Sequence, residues 1–125
     1  MVVYLAADLL WSTRIKSTAE SLGIQARPVR NPEMLEARLA DSPVRGLIVD
    51  LEAGDAALDL IRRTAAAPLP ATGERIRVVA FGPHVAVDRL DAARAAGADE
   101  VLPRGSFDRR LIEILRSLDG TAPSA

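Results

Sequence analysis

The segment Gly46-Leu47-Ile48-Val49-Asp50 decides which fold this sequence encodes. Its short, nearly continuous apolar run is typical of a strand that is buried on both faces of a parallel sheet. The run ends in a carboxylate, and open α/β sheets build their binding sites at the carboxyl ends of their strands. Asp50 is therefore the first candidate functional residue of the chain.

Two further runs of the same kind, 2–6 and 77–81, predict two more central strands. The segment 24–29 also reads as a strand, but it contains Pro28. Proline cannot donate a hydrogen bond to a neighbouring strand, so this strand is expected at an edge of the sheet. A short fifth strand is predicted over 99–103.

Helical patterns separate these strands. Asp8 and Asn31 each precede a stripe of apolar residues and are predicted helix N-caps. Gly23 and Gly97 are predicted to end helices, because glycine is favoured just after the last helical residue. The predicted helices cover about 8–22, 31–41, 55–66 and 85–96.

A last helix is predicted to begin at a cap formed by Ser106. The residues predicted to face the core are Leu111, Ile112, Leu115 and Leu118 on this helix, and Leu58, Ile61 and Ala65 on the helix over 55–66. The strongest loop signal covers 68–73.

Strands and helices alternate, so the sequence predicts an α/β fold, a three-layer doubly wound sheet of five parallel strands over 1–118, with a flexible C-terminal tail over 119–125.

The composition is that of one compact domain, with 125 residues of which 49% are apolar. Lys and Arg number 16 against 17 Asp and Glu, so the net charge of −1 creates no field that attracts nucleic acid or an anionic membrane. There is no cysteine, which excludes disulfides, thiolate metal sites and cysteine nucleophiles. No apolar run approaches the roughly 20 residues that span a bilayer. The sequence predicts a cytoplasmic protein that binds neither nucleic acid nor membrane.

The passage Ala92-Ala-Arg-Ala-Ala-Gly-Ala-Asp-Glu-Val-Leu102, together with Asp50 at the end of the third strand, resembles the receiver domains of two-component response regulators. The resemblance covers essentially the whole chain. It implies a flavodoxin-like sheet with the strand order 2-1-3-4-5. It also implies a crevice above the carboxyl ends of strands one, three, four and five.

The resemblance weakens at the functional positions of that family. An active receiver has two adjacent acids after strand one, a phosphoacceptor Asp after strand three, a Ser or Thr after strand four and a Lys after strand five. The corresponding residues here are Ala6 and Ala7, Asp50, Gly82 and Arg104. Only Asp50 matches, so the chain resembles a degenerate form, a pseudo-receiver.

Each residue of the expected crevice has two interpretations. Asp50 is either a phosphoacceptor or an unreactive acid that caps the following turn or pairs with Arg104, whose guanidinium binds carboxylates through two donors. Asp8 is either a helix cap or, with Asp50, a Mg²⁺ ligand, so no cofactor is expected except Mg²⁺ under the second interpretation. His84 is either a solvated loop residue or a general base or ligand.

The first functional hypothesis is a stand-alone, non-catalytic protein interaction module in bacterial signal transduction. The resemblance implies a contact face made by helix four, strand five and helix five, which would bind a signalling protein or a second copy as a homodimer. The candidate residues of that face are Arg89, Ala92, Ala95, Arg109 and Arg110.

Two alternatives remain open. The first is a weakly competent receiver that accepts a phosphoryl group on Asp50 with the help of Asp8. The second is a flavodoxin-like sensor of a small anionic ligand, held by Arg104 and the backbone amides around Gly82. The sequence contains no nucleotide-binding loop, zinc-protease motif or serine-hydrolase elbow, so no enzyme is predicted.

Overall fold

The computed structural model describes residues 1–68 and 73–120. They form a five-stranded, all-parallel sheet with the strand order β2-β1-β3-β4-β5, which confirms the predicted fold class. The strands are β1 (Val2–Leu5), β2 (Ala26–Pro28), β3 (Gly46–Asp50), β4 (Arg77–Gly82) and β5 (Glu100–Pro103). Pro28 lies in an edge strand as expected, where the missing N–H leaves no neighbouring strand unpaired.

The helices follow the predicted alternation, and the first two begin at their predicted caps. They are α1 (Leu9–Ser21), α2 (Pro32–Asp41), α3 (Asp55–Ala66), α4 (Val87–Ala96), α5 (Arg104–Arg109) and α6 (Leu111–Asp119), with a 3₁₀ turn over Leu51–Ala53. The Asp8 carboxylate accepts a hydrogen bond from the Trp11 amide at 2.9 Å, and the Asn31 side chain accepts one from the Met34 amide at 2.8 Å. Gly97 ends α4 in the left-handed conformation, with φ at 116°.

The sheet separates two apolar clusters. One lies against α2, α3 and α4, and the other lies against α1, α5 and α6. In the second cluster the rings of Phe81 and Phe107 stack with centroids 4.0 Å apart, and Trp11 packs 5.0 Å from Phe81. Trp11 is thus mainly a core residue, as its position in the apolar stripe of α1 predicts.

The start of the last helical segment differs from the prediction. Ser106 does not cap it, because α5 begins directly after Pro103 and Ser106 lies inside the helix. The earlier start brings Phe107 under the sheet, where it is fully buried against Phe81. The segment is then divided at Arg110, which ends α5 and precedes α6.

Two residues that were expected in the core lie outside it. Ile112 is 51% exposed, and the buried stripe of α6 is Leu111, Ile114, Leu115 and Leu118. Ala65 is exposed, and the buried stripe of α3 is Ala57, Leu60, Ile61 and Thr64. Ile112 directly follows the buried Leu111 and Ala65 directly follows the buried Thr64, so each lies about 100° around its helix from a stripe residue, at the edge of the stripe. Of the predicted loop over 68–73, residues 69–72 lie outside the described part of the chain, as do residues 121–125 of the predicted tail.

Candidate functional site

Asp50 lies at the carboxyl end of β3, in the middle of the sheet, and is fully buried. Its Oδ2 accepts a hydrogen bond from the Ala7 amide at 3.0 Å, and its Oδ1 accepts one from the Glu52 amide at 3.0 Å. The bond to Glu52 is the short-range Asx type, from the side chain to the amide two residues on. The carboxylate therefore joins the loop after β1 to the turn after β3.

The surroundings of Asp50 disfavour its charged form. Burial raises the pKa of this carboxyl group, and the hydrogen bonds from the Ala7 and Glu52 amides offset only part of that effect. The Glu52 carboxylate adds to the increase in the pKa, while Arg104 acts in the opposite direction from a distance.

Arg104 pairs with Glu52 and not with Asp50, so the direct pairing expected from the sequence is wrong. The Arg104 Nη2 atom lies 2.8 Å from the Glu52 Oε2 atom, and both side chains are more than one-third exposed. The physical reason is that both Asp50 oxygens already accept backbone amides and lie below the surface, whereas Glu52 extends into the crevice mouth. The Nε atom of Arg104 is buried and has no acceptor among the described residues.

The last residue of β4, Gly82, has little room for a hydroxyl side chain. A Cβ atom built on Gly82 would lie 3.3 Å from the Leu51 Cβ atom and 3.8 Å from the Leu90 Cδ2 atom. Contacts below 3.4 Å are tighter than ordinary van der Waals contacts, so a Ser or Thr here would require Leu51 to move. Leu51, the first residue of the 3₁₀ turn, thus fills the space beside the position at which an active receiver has its Ser or Thr.

Asp8 is used as a helix cap, with its Oδ1 bound to the Trp11 amide. This confirms the capping interpretation of Asp8. Within 1–68 and 73–120, no three His, Asp or Glu side chains come together in a way that could hold a metal ion. No helix in the same ranges is long and apolar enough to cross a membrane.

His84 is exposed and lines a cleft of about 790 Å³ beside the crevice. The cleft lies between the start of α1, the loop from β4 to α4, and α5. The residues that line it are Leu10, Trp11, Arg14, Pro83, His84, Val85, Pro103, Arg104, Gly105, Ser106, Asp108 and Arg109. The sequence placed His84 and Arg104 on the crevice side, and the structure brings both to this cleft.

The five residues proposed for the contact face lie on α4, on α5 and at the link between α5 and α6. Arg89 and Ala92 line a groove of about 310 Å³ between α3 and α4, and Ala95 is exposed on α4. Arg109 lines the cleft described above. Arg110 is occupied by ion pairs, with its Nη1 2.9 Å from Glu100 Oε2 and its Nη2 near the Glu113 carboxylate.

The bond from the Glu52 amide agrees with one interpretation of Asp50 from the sequence, an acid that caps the following turn. Sequence reasoning missed the Glu52 side chain as the partner of Arg104 and the Ala7 amide as a partner of Asp50. The Ala7 amide carries no side-chain signal, and its role depends on the parallel pairing that sets the end of β1 beside the end of β3.

Comparison by sequence gives no assignment, since no family model matches the chain and no curated protein matches it. Solved structures match its fold. The receiver domain of NtrX from Brucella abortus has a TM-score of 0.74 at 15% identity, covering 98% of this chain and 100% of that chain. A response regulator receiver protein from Burkholderia phymatum has a TM-score of 0.72 at 20% identity, covering 99% and 98%. A CheY-like receiver domain from Methylobacillus flagellatus has a TM-score of 0.71 at 19% identity, covering 94% and 96%. The chain therefore has the fold of receiver domains.

Proposed function

We propose that this chain, which has the fold of receiver domains, works as a degenerate receiver: a non-catalytic protein interaction module of bacterial two-component signalling in the cytoplasm. It needs neither a phosphoryl group nor Mg²⁺ or another cofactor. The observation that carries the proposal is the environment of Asp50. The residue is fully buried, and its two carboxylate oxygens accept hydrogen bonds from the Ala7 and Glu52 amides. A carboxylate used in this way holds the crevice loops together and is poorly placed to attack a phosphodonor.

The surroundings of Asp50 support the same conclusion. The acid-pair positions are Ala6 and Ala7, and Asp8 is committed to the Trp11 amide. Mg²⁺ in proteins is usually bound by one or two carboxylates and several waters in an octahedral array, and Asp50 is closed to solvent here. Gly82 stands where the family has a Ser or Thr, so this position carries no hydroxyl group that could bind a phosphoryl oxygen.

The partner surface that we propose includes α4, β5 and the α5–α6 segment, with Ala95 at its exposed part. The partner is a signalling protein or a second copy of the chain. Several charges in this region are already paired within the chain, including Arg94 with Asp91 and Arg110 with Glu100. Small side chains between paired charges allow close approach without leaving buried charges unpaired.

The phosphorylation part of the proposal is tested by intact-mass measurement after incubation with acetyl phosphate and Mg²⁺. We expect no added phosphoryl group in the wild type. A mass increase that is lost in Asp50→Asn would contradict the proposal and support the weakly competent receiver.

The interaction part is tested with Ala95→Glu, which places a charge on the exposed surface of α4. We expect it to reduce self-association, measured by light scattering, or capture of the partner protein from lysate. The matched control is Ala37→Glu on α2, where the residue is also exposed and the helix packs against α3. Equal association of both variants and the wild type would show that the proposed surface is wrong.

A further inference from the structure

A cleft of about 790 Å³ lies between the start of α1, the loop from β4 to α4, and α5, and the function proposed above assigns it no ligand. Its volume lies within the range of roughly 300 to 1,000 Å³ that is usual for small-molecule sites. Its walls come from α1, the loop from β4 to α4, and α5, so three segments that are distant in the chain shape it.

The cleft has apolar walls that are open to solvent. Leu10 is 72% exposed and Val85 is 75% exposed, and Pro83 and Pro103 add further apolar surface. Trp11 forms part of the cleft lining and is supported from behind by Phe81 and Phe107. Large apolar side chains that are exposed together mark binding sites, because a bound apolar group removes their surface from water.

The charge of the cleft is positive. Three arginines and one aspartate line it. Arg14 is neutralised by an ion pair with Asp108, and Arg104 is paired with Glu52. Arg109 forms no ion pair with any residue in the described ranges, and its Nη2 only donates to the Ser106 hydroxyl group at 3.3 Å. One guanidinium is therefore available to an anion.

Arg104 has further donor capacity at the same site. Its Nη2 binds Glu52, but its buried Nε has no acceptor within 1–68 and 73–120. A buried donor without a partner costs free energy, so a rearrangement that supplies an acceptor is favoured. An anion between Arg104 and Arg109 would supply oxygens to both guanidinium groups, which bind planar oxyanions through two parallel donors.

We propose that this cleft binds a small organic anion with an apolar body, such as an aliphatic or aromatic carboxylate. The anionic group contacts Arg109 and Arg104, and the apolar body covers Leu10, Val85 and Trp11. The cleft shares α5 with the proposed partner surface, but none of the residues that line it belongs to α4. Both an apolar body and a negative charge are required, because the walls and the free guanidinium contribute separately.

The test uses 4-phenylbutyrate as the probe, with 4-phenylbutylamine and inorganic phosphate as controls. The first control keeps the apolar body and reverses the charge, and the second keeps the negative charge without the body. Binding is measured on the full chain by amide chemical shifts in ¹⁵N-labelled protein and by the fluorescence of Trp11, the only tryptophan. We expect saturable shifts with 4-phenylbutyrate, centred on Val85 and Gly105, and none of comparable affinity with either control.

Two substitutions that each remove one positive charge complete the test. Arg109→Gln should weaken binding of 4-phenylbutyrate at least about fivefold, which corresponds to about 1 kcal/mol. Arg62→Gln, on the exposed face of α3 away from the cleft, should leave it unchanged. The proposal is overturned if 4-phenylbutyrate does not bind, if the amine binds as well as the acid, if the shifts map to another surface, or if Arg109→Gln and Arg62→Gln behave alike.

Discussion

At the scale of single residues, the carboxylate of Asp50 holds two loops together. It accepts the Ala7 amide from the loop after β1 and the Glu52 amide from the turn after β3. An amide side chain cannot replace it fully, because the NH₂ group of Asn would face one of the two backbone N–H donors. One buried donor would then lose its acceptor.

Asp50→Asn is therefore expected to lower the free energy of unfolding by about 1–3 kcal/mol, the cost of leaving a buried donor unsatisfied. Urea denaturation at neutral pH measures the change. Asp55→Asn, at an exposed acid in the first turn of α3, serves as the control and should change stability by less than about 0.5 kcal/mol. Equal effects of the two substitutions would show that the hydrogen bonds of Asp50 contribute little.

The pH dependence of this difference follows from the raised pKa of Asp50. The folded protein keeps the Asp50 proton to a higher pH than the unfolded chain, whose value is near 3.8. The stabilising contribution is thus fully present below the unfolded pKa and is lost as pH rises through the folded pKa. We expect the stability of the wild type relative to Asp50→Asn to fall over this window. A relative stability that grows with pH would contradict burial as the dominant cause.

Arg104 contributes through Glu52, and its contribution is expected to be small. Both partners are more than one-third exposed, and ion pairs of that kind stabilise proteins by about 0.2–1 kcal/mol. A double-mutant cycle with Arg104→Ala and Glu52→Ala should give a coupling energy in this range. The matched cycle with Asp50→Ala in place of Glu52→Ala should give a smaller one. A larger coupling energy in the Asp50→Ala cycle than in the Glu52→Ala cycle would support direct pairing of Arg104 with Asp50.

At the scale of elements, β3 and α6 approach each other closely at a glycine. A Cβ atom built on Gly46 would lie 2.6 Å from the Leu118 Cβ atom, so no other residue fits without a shift of the helix or the strand. Leu118 is buried at the end of the apolar stripe of α6. Gly46 therefore sets the distance of α6 from the central strand.

We expect Gly46→Ala to destabilise the protein by about 1–3 kcal/mol, the usual cost of forcing extra volume into a packed core. Gly105→Ala is the control. There the nearest atom to an added Cβ is the flexible Arg109 Nη1 at 3.5 Å, and alanine is favoured over glycine in a helix by up to about 1 kcal/mol. Thermal denaturation should therefore show opposite signs for the two substitutions, and a neutral Gly46→Ala would mean that α6 can move freely.

At the scale of the whole molecule, one sheet carries both apolar clusters. Residues of β1, β3 and β4 alternate between them, so that Leu47 faces one cluster and Ile48 faces the other. Loss of either cluster removes support from the same strands. The domain is therefore expected to unfold as one cooperative unit.

This cooperativity can be tested from opposite faces of the sheet. Leu60→Ala creates a cavity on the side of α3, and Leu115→Ala creates one on the side of α6. Each should cost about 2–5 kcal/mol. Trp11 lies on the side of α6, yet its fluorescence transition in Leu60→Ala should coincide with the transition by far-ultraviolet circular dichroism. Ile112→Ala, at an exposed position, should change stability little. Separate transitions in Leu60→Ala would mean that the two faces unfold independently.

The sequence by itself determined the elements and their order. Short apolar runs, helical stripes and capping residues are local signals, so β3, α1 and α2 were predicted to within a residue or two, and Pro28 placed its strand at an edge. The placement of Asp50 at a strand end followed from the same local pattern. Helical periodicity predicts the centre of an apolar stripe better than its edges, where Ile112 and Ala65 lie exposed.

Only the tertiary structure decided which groups meet in the crevice. Asp50 binds the Ala7 amide from 43 residues away, and Arg104 reaches Glu52 in place of Asp50. The cleft likewise brings together Leu10 of α1 and Arg109 of α5, which are far apart in the sequence. Such contacts depend on strand register and on how closely helices pack on the sheet. These distances are set by the volumes of all the buried side chains together and leave no signal in any one segment.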